Sequence, residues 1–369
     1  MDEEIKNFIK VWILAILSLC HCYYLSAKIP RGLLRLLSIL PVVYLFILLP
    51  FSLSSPNLCG PTAFFLVWLG NFKLLLFSFD QGPLSPPPSK LFHFISIACL
   101  PIKVKEDPPS KSPQALAKTI TTKNLPYPKS TLDPPRVRVP KPILYGVKLL
   151  ALVLIYHLYN HRKNLPKNVI LIIYCLNIYL QLELVLALCA TPAKAFLGFE
   201  LEPQFNEPYL TTSLQDFWGR RWNLMVTRIL HPAVYDPIRR VSTGIVGPRW
   251  AALPAVVAAF GVSGLMHEAI YYYLANVHPT WEVTWFFVLH GICVAIEVAV
   301  KKIVRESWHL SPVVSGPATV AFVAVTSFWL FFPQIVRNGI DEKVIREGTM
   351  FVDFVKGSLN QITLGIFAQ

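Results

Sequence analysis

The stretch Ala251-Ala-Leu-Pro-Ala-Val-Val-Ala-Ala-Phe260-Gly-Val-Ser-Gly-Leu-Met-His267-Glu-Ala-Ile-Tyr-Tyr-Tyr-Leu-Ala275 contains one histidine, one acidic residue and no Lys or Arg. At about 1.5 Å per residue, a helix of this length crosses roughly 30 Å of hydrocarbon. A helix on the surface of a soluble protein would carry a polar face at 3.6-residue spacing, and none is present here. Seven similar stretches accompany it, at Phe8–Leu25, Leu33–Leu53, Thr62–Phe79, Ile143–Tyr159, Val169–Leu188, Trp281–Val300 and Val313–Phe332. Eight such segments predict an all-α, polytopic transmembrane helical bundle.

Composition points the same way. The 369 residues are 54% hydrophobic and 15% charged, against about 25% charged in soluble chains. Too few charges remain to cover a water-facing surface, which excludes an ordinary cytosolic enzyme, and the apolar content excludes intrinsic disorder. The net charge of +13 taken alone suggests nucleic acid or an anionic membrane surface. Its distribution decides. Residues 85–141 carry ten basic side chains against Glu106, Asp107 and Asp133, and 190–250 carry seven against five acidic. Lys28, Arg31 and Arg35 follow the first stretch, and Lys301, Lys302 and Arg305 follow the seventh. All four clusters face the cytosol when the N-terminus is lumenal. The loops 52–61 and 276–280, which lack Lys and Arg, then lie in the lumen. Arg162, Lys163 and Lys167 break the pattern; a re-entrant segment around Leu91–Ile102 would repair the count, but its 12 residues are too short to span. Nucleic acid is not needed to account for the charge; the bilayer is.

The acidic leader Met1-Asp-Glu-Glu-Ile-Lys6 and the lack of a small-residue cleavage site predict a retained first span. The chain then divides into N-terminal transmembrane helices (1–84), a Pro- and Lys-rich cytosolic linker (85–142), central transmembrane helices (143–189), a catalytic core (190–332) and a C-terminal tail (333–369). Ten prolines fall within 101–142, which suits a solvated tether. No internal repeat of the transporter kind is visible. The seven cysteines are scattered and mostly within spans, so neither a disulfide framework nor a zinc site is expected.

Ionisable groups at membrane depth are costly and therefore informative. Asn71 and Lys73 read as a helix end snorkelling to the interface. Glu183 and Glu297 read as structural glue, paired with interior donors, and His290 as a hydrogen-bonded interior histidine. His267 differs in its surroundings. Ser263 and Gly264 at i−4 and i−3 make its face small, so another helix can approach closely, and Tyr271 lies at i+4. An imidazole is also the side chain best matched to taking a proton near neutral pH. Tyr271 stands where a zinc protease would need a second histidine. On these residues alone, a structural histidine and a base are both open.

The second constellation is Tyr209-Leu-Thr-Thr-Ser-Leu-Gln-Asp-Phe-Trp-Gly-Arg-Arg-Trp-Asn223. Phe217, Trp218 and Trp222 with Arg220 and Arg221 suit an interfacial helix, apolar on one side and basic on the other. The functional alternative is an entry site for an anionic cofactor, with Asn223 facing inward.

With Asn71-Phe-Lys-Leu-Leu-Leu-Phe77, Pro203-Gln-Phe-Asn-Glu-Pro-Tyr-Leu-Thr-Thr-Ser-Leu-Gln-Asp-Phe-Trp-Gly-Arg-Arg-Trp-Asn-Leu-Met225 and Val262-Ser-Gly-Leu-Met-His-Glu268, nearly the whole chain resembles the membrane-bound O-acyltransferase superfamily. Within it, the chain is similar to the plant wax synthases, which are long-chain-alcohol O-fatty-acyltransferases. The middle stretch is the specific one. Superfamily members carry a catalytic His in an apolar helix and an upstream Asn, which fall here on His267 and Asn223. In the sterol and diacylglycerol acyltransferases that Asn closes a Phe-Tyr-x-Asp-Trp-Trp-Asn motif. Phe217, the aromatic Trp218, Trp222 and Asn223 match it, whereas Arg220 replaces the acidic residue and Arg221 one Trp.

The resemblance implies an integral membrane enzyme of the endoplasmic reticulum that transfers a fatty acyl group from acyl-CoA to a long-chain alcohol, giving a wax ester and CoA. His267 would be the general base, and Asn223 would orient the thioester carbonyl or stabilise the oxyanion. Arg220 and Arg221 are candidate contacts for the CoA phosphates, and Trp222, Trp218, Ser263 and Glu268 are candidates for lining the substrate channel. No metal and no cofactor beyond the acyl-CoA co-substrate is implied. A sterol is the second acceptor, a glycerolipid the third, and a non-enzymatic lipid transporter the reading outside enzymes.

Overall fold

In hydrocarbon each backbone N–H and C=O must find its partner inside the segment, so the apolar stretches close into helices. The computed structural model describes residues 2–102, 141–161, 164–197, 204–304 and 311–350; among them no strand occurs. In chain order the helices are α1 (Asp2–Tyr24), α2 (Leu33–Leu48), α3 (Pro56–Ser78), the short α4 (Leu91–Cys99), α5 (Lys141–Asn160) and α6 (Lys167–Leu197). They continue with α7 (Leu224–Leu230), α8 (Asp236–Val246), α9 (Ala252–Ala275), α10 (Glu282–Ile303) and α11 (Pro312–Phe331). Seven of the described helices, α1, α2, α3, α6, α9, α10 and α11, are long and apolar enough to cross a membrane. The eighth expected span, Ile143–Tyr159 within α5, is apolar but shorter than the rest. Most of the linker and of the C-terminal tail, and the loop cations Arg162 and Lys163, lie outside the described residues.

The spacing of buried side chains shows which face of each helix meets the bundle. On α1, Val11, Ala15, Leu19 and Cys22 are buried at three- and four-residue intervals, while Ile9, Ile13 and Leu17 are exposed on the other side. The buried row packs with Ile39, Val42 and Phe46 of α2 and with Phe94 of α4. The exposed apolar row is the side that a bilayer covers.

Interhelical hydrogen bonds sort the loops to two ends of the bundle. At one end the Glu4 carboxylate accepts from the backbone N–H groups of Ser54 and Ser55 at 2.6 and 2.7 Å. There too the Tyr273 hydroxyl donates to the Ile47 carbonyl at 2.8 Å. At the other end Arg35 pairs with Asp80 at 2.5 Å and donates to the carbonyls of Ile29 and Phe77. The N-terminus and the loops near 52 and 276 thus share one end, and the loops 25–32 and 79–90 share the other, as the charge distribution requires.

Helix α4 does not cross the bundle. It starts beside Tyr23, whose hydroxyl donates to the Ser89 carbonyl at 2.7 Å, and stops where Lys73 Nζ donates to the carbonyls of Ile97 and Leu100 at 2.6 and 2.7 Å. Lys73 is therefore fully buried and does not snorkel to the interface. The carbonyls that end a helix lack intrahelical partners and carry its negative pole, and the ammonium satisfies both needs. Glu183 does act as structural glue, pairing with Lys148 of α5 at 2.5 Å, whereas Glu297 pairs at 2.5 Å with the exposed Lys301 of its own helix and reaches another element by accepting from the Gln215 N–H at 3.0 Å.

Helices α9 and α10 form the closest pair. A Cβ added at Gly264 would lie 3.0 Å from the Thr284 Cα, and one added at Gly291 would lie 2.7 Å from the Phe260 Cβ. Absence of side chains at these two positions lets the backbones approach. This hairpin carries His267 on one arm and Phe287 and His290 on the other.

Candidate active site

Among the described residues four π-helical turns interrupt the helical runs: Phe64–Gly70 inside α3, Phe217–Arg221, His231–Tyr235 after α7 and Ser327–Phe331 at the end of α11. Such wide turns collect at functional sites. Here each contributes to the wall of one cavity of about 420 Å3, through Trp68, Trp218, Tyr235 and Phe331 respectively. The remaining wall includes Tyr179 and Leu182 of α6, Trp222, Asn223, Phe260, Ser263 and His267. The space is apolar and aromatic with a few polar groups, the usual make-up of a small-molecule site.

His267 is held by chemistry on every side. Its Nδ1 lies 2.8 Å from the Ser263 carbonyl oxygen. A carbonyl only accepts, so Nδ1 carries the proton and Nε2 carries the lone pair. No described residue hydrogen-bonds Nε2. The ring stacks on Phe287 at 4.2 Å and 25°, and meets the edges of Trp68 at 4.9 Å and Phe331 at 5.9 Å. Packing and hydrogen bonding together set both the rotamer and the tautomer.

Asn223 reaches the same cavity from another element. The chain turns there through a left-handed backbone (φ 36°) before α7 begins, a conformation that Asn tolerates better than most residues. The Leu224 N–H donates to the Gln204 carbonyl at 2.8 Å, which ties the turn to the preceding strand of loop. The carboxamide oxygen of Asn223 is buried and has no hydrogen-bond partner. A buried, unpaired polar atom is a cost of about 1–3 kcal/mol until something satisfies it, so this oxygen is left for a water or a polar group of a ligand.

The motif 209–223 does not lie flat as an interfacial helix. After the Ser213 hydroxyl caps a single turn by accepting from the Asp216 N–H at 3.2 Å, the chain runs straight into the π turn Phe217–Arg221 and folds inward. Phe217 is buried and stacks on Trp222 at 5.4 Å. Arg221 is buried as well, pairs with Asp216 at 2.5 Å and donates to the carbonyls of Asn206 and Glu207. Its charge is spent inside the motif, which explains how Arg221 fits into a structure that turns away from water.

Of the residues singled out in the sequence, His267, Asn223, Trp218, Trp222 and Ser263 all line the cavity, whereas Arg220, Arg221 and Glu268 do not. Glu268 points to the loop before α10, where it accepts from the Trp281 N–H at 3.1 Å and the Thr284 hydroxyl at 3.2 Å. Its role there is to brace the α9–α10 hairpin. His290 is an interior histidine, as its position in the span suggests. Its Nδ1 accepts from the Trp218 indole N–H at 3.0 Å, so its Nε2–H donates to the Thr326 hydroxyl at 2.9 Å, which in turn donates to the Phe322 carbonyl at 2.7 Å. Both ring nitrogens are engaged, so of His267 and His290 it is His267 that keeps a free lone pair; His231, which also lines the cavity, has its Nδ1 3.1 Å from the Asp236 carboxylate.

Trp68, Phe287 and Phe331, which enclose the imidazole, were not singled out from the sequence. Trp285-Phe-Phe287 and Phe328-Trp-Leu-Phe-Phe332 are aromatic runs that any apolar span could carry, and only their convergence on His267 distinguishes them.

Residues 201–289, which hold both Asn223 and His267, match the family described as the membrane bound O-acyl transferase family. The long-chain-alcohol O-fatty-acyltransferase of Simmondsia chinensis is 49% identical, over 97% of this chain and 98% of the relative. The Arabidopsis thaliana protein named "Probable long-chain-alcohol O-fatty-acyltransferase 1" is also 49% identical, over 96% and 98%. "Acyl-CoA--sterol O-acyltransferase 1" of the same plant is 40% identical over 98% of this chain and 99% of its own. With near-complete coverage in both directions and the matched segment carrying the cavity's two polar groups, the chain belongs to the membrane bound O-acyl transferase family and is an acyltransferase of its plant wax synthase branch.

Proposed function

We propose that the chain esterifies a long-chain fatty alcohol with a fatty acyl-CoA, releasing a wax ester and CoA, in the membrane of the endoplasmic reticulum. The observation that carries this reading is the His267 tautomer: Nδ1–H is tied to the Ser263 carbonyl at 2.8 Å, and the basic Nε2 is free on an apolar cavity. Nε2 takes the hydroxyl proton as the alcohol oxygen bonds to the thioester carbonyl carbon. The tetrahedral oxyanion accepts from the Asn223 amide N–H2, and the unpaired Asn223 oxygen accepts from an N–H or O–H of the substrate. Collapse breaks the carbon–sulfur bond, and the imidazolium returns its proton to the departing thiolate. The base is regenerated and no acyl-enzyme forms, because a thioester is already activated.

Apolar walls suit both chains. The higher identity to relatives named for fatty alcohols than to the one named for sterols favours the alcohol as acceptor. The experiment expresses the chain in yeast lacking its own neutral-lipid acyltransferases, supplies hexadecanol or a sterol, and profiles the esters. Wax esters are the expected product. Steryl esters without wax esters would overturn the acceptor, and no ester of either kind in membranes containing the full-length protein would overturn the activity.

A further inference from the structure

Behind the reaction cavity, on the far side of the π turn His231–Tyr235, lies a second hollow of about 540 Å3. The turn is the partition. His231 and Tyr235 line the reaction cavity, whereas Pro232 and Ala233 line the hollow. Phe72, Leu75 and Phe79, along and just beyond α3, make the opposite wall, and Val241 and Arg240 of α8 close one end. Phe79 and Val241 are 49% and 65% exposed, so the hollow opens sideways, out of the bundle. Both elements sit at the end that the charge distribution assigns to the cytosol.

Arg240 makes no side-chain hydrogen bond or ion pair among the described residues. The acidic groups nearest to the hollow in the chain are already engaged. Asp80 pairs with Arg35 at 2.5 Å, and Asp236 with His231 at 3.1 Å. The result is a hydrocarbon-lined groove with one unneutralised guanidinium at its mouth, at headgroup level. That combination fits an amphiphile with an acyl chain and an anionic phosphate, which a guanidinium can grip through two parallel hydrogen bonds.

We propose that this hollow binds one anionic phospholipid of the surrounding bilayer, with an acyl chain along Phe72, Leu75 and Pro232 and the phosphate on Arg240. Acyl-CoA shares the chemistry, but the π turn would keep its thioester away from His267. A bilayer lipid reaches a sideways opening by lateral diffusion alone. The proposal stands apart from the acyl-transfer reading and does not depend on it.

The test uses the full chain purified in detergent, with bound lipid counted by native mass spectrometry after adding phosphatidylglycerol or phosphatidylcholine of the same chain length. Wild-type protein is expected to retain one phosphatidylglycerol about fivefold better than phosphatidylcholine, the worth of one basic residue at an anionic headgroup. Arg240→Gln, an exposed substitution that leaves the walls intact, removes that preference. Val241→Trp, which fills the opening, lowers retention of both lipids. Equal retention of the two lipids by the wild type, or a preference that survives Arg240→Gln, overturns the proposal. Displacement of the bound phosphatidylglycerol by equimolar oleoyl-CoA also overturns it, and reassigns the hollow to the thioester substrate.

Discussion

Trp218 donates its indole N–H to Nδ1 of His290 at 3.0 Å, and through that ring to Thr326 and the Phe322 carbonyl. The cavity wall from the aromatic motif is thereby bolted to α10 and α11 without using a charge. Thr326→Val removes the acceptor for the His290 Nε2–H and is predicted to cost about 1–3 kcal/mol of stability. Thermal melting in detergent should show the loss, while turnover per folded molecule stays within about tenfold of wild type, since the ring is not the base.

The contrast is His267. His267→Ala is predicted to lower turnover about 10²–10⁴-fold, the usual worth of a positioned base, with protein levels unchanged. Ester formation in isolated membranes, normalised to immunoblotted protein, measures it. Turnover equal to wild type would remove His267 from the chemistry.

Asn223 has two jobs that substitutions can separate. Its backbone adopts φ 36°, which Gly accepts without strain and Ala does not. Asn223→Gly is therefore expected to keep the fold and to lose about 10²–10³-fold in kcat, as removal of an oxyanion donor does. Asn223→Ala should lose stability as well. If Asn223→Gly is as active as wild type, the carboxamide is structural.

The fold was legible because hydrocarbon leaves the chain few choices: uninterrupted apolar runs near Ala251–Ala275 must be helices. That His267 and Asn223 line one cavity was legible through their motifs. What surrounds them was not. The π turns that carry Trp68, Trp218, Tyr235 and Phe331 into one space depend on tertiary packing, and no periodicity marks an extra residue within a helix. Lys73 misled for a related reason. A lysine near a helix end usually snorkels, and only the carbonyls of Ile97 and Leu100 at 2.6 and 2.7 Å show that it turns inward.

Lys73→Met removes that cap while keeping an unbranched side chain one atom shorter. It leaves two carbonyls at the end of α4 without their donor, and a loss of about 1–3 kcal/mol is expected. Increased protease sensitivity between Leu91 and Pro101, relative to wild type, is the direct readout. A melting temperature equal to wild type would show that water or a neighbouring group replaces the ammonium.

Gly264 tests the hairpin. A methyl group there would lie 3.0 Å from the Thr284 Cα and 3.1 Å from its carbonyl oxygen, both backbone atoms that cannot rotate away. Gly264→Ala should cost about 1–3 kcal/mol by overpacking and separate Phe287 from His267. Gly261→Ala, which meets nothing within 4 Å, is the control and should be silent in both melting temperature and turnover.

The four π turns also bear on how such a pocket changes over generations. A π turn holds one residue more than the helical turn it replaces, and removing that residue swings the following side chains by about 100° around the axis. Since Trp68, Trp218, Tyr235 and Phe331 all stand on such turns, single-codon deletions and insertions can exchange one wall at a time while the helices keep their places. Length variation at these sites can then reshape the enclosure one wall at a time.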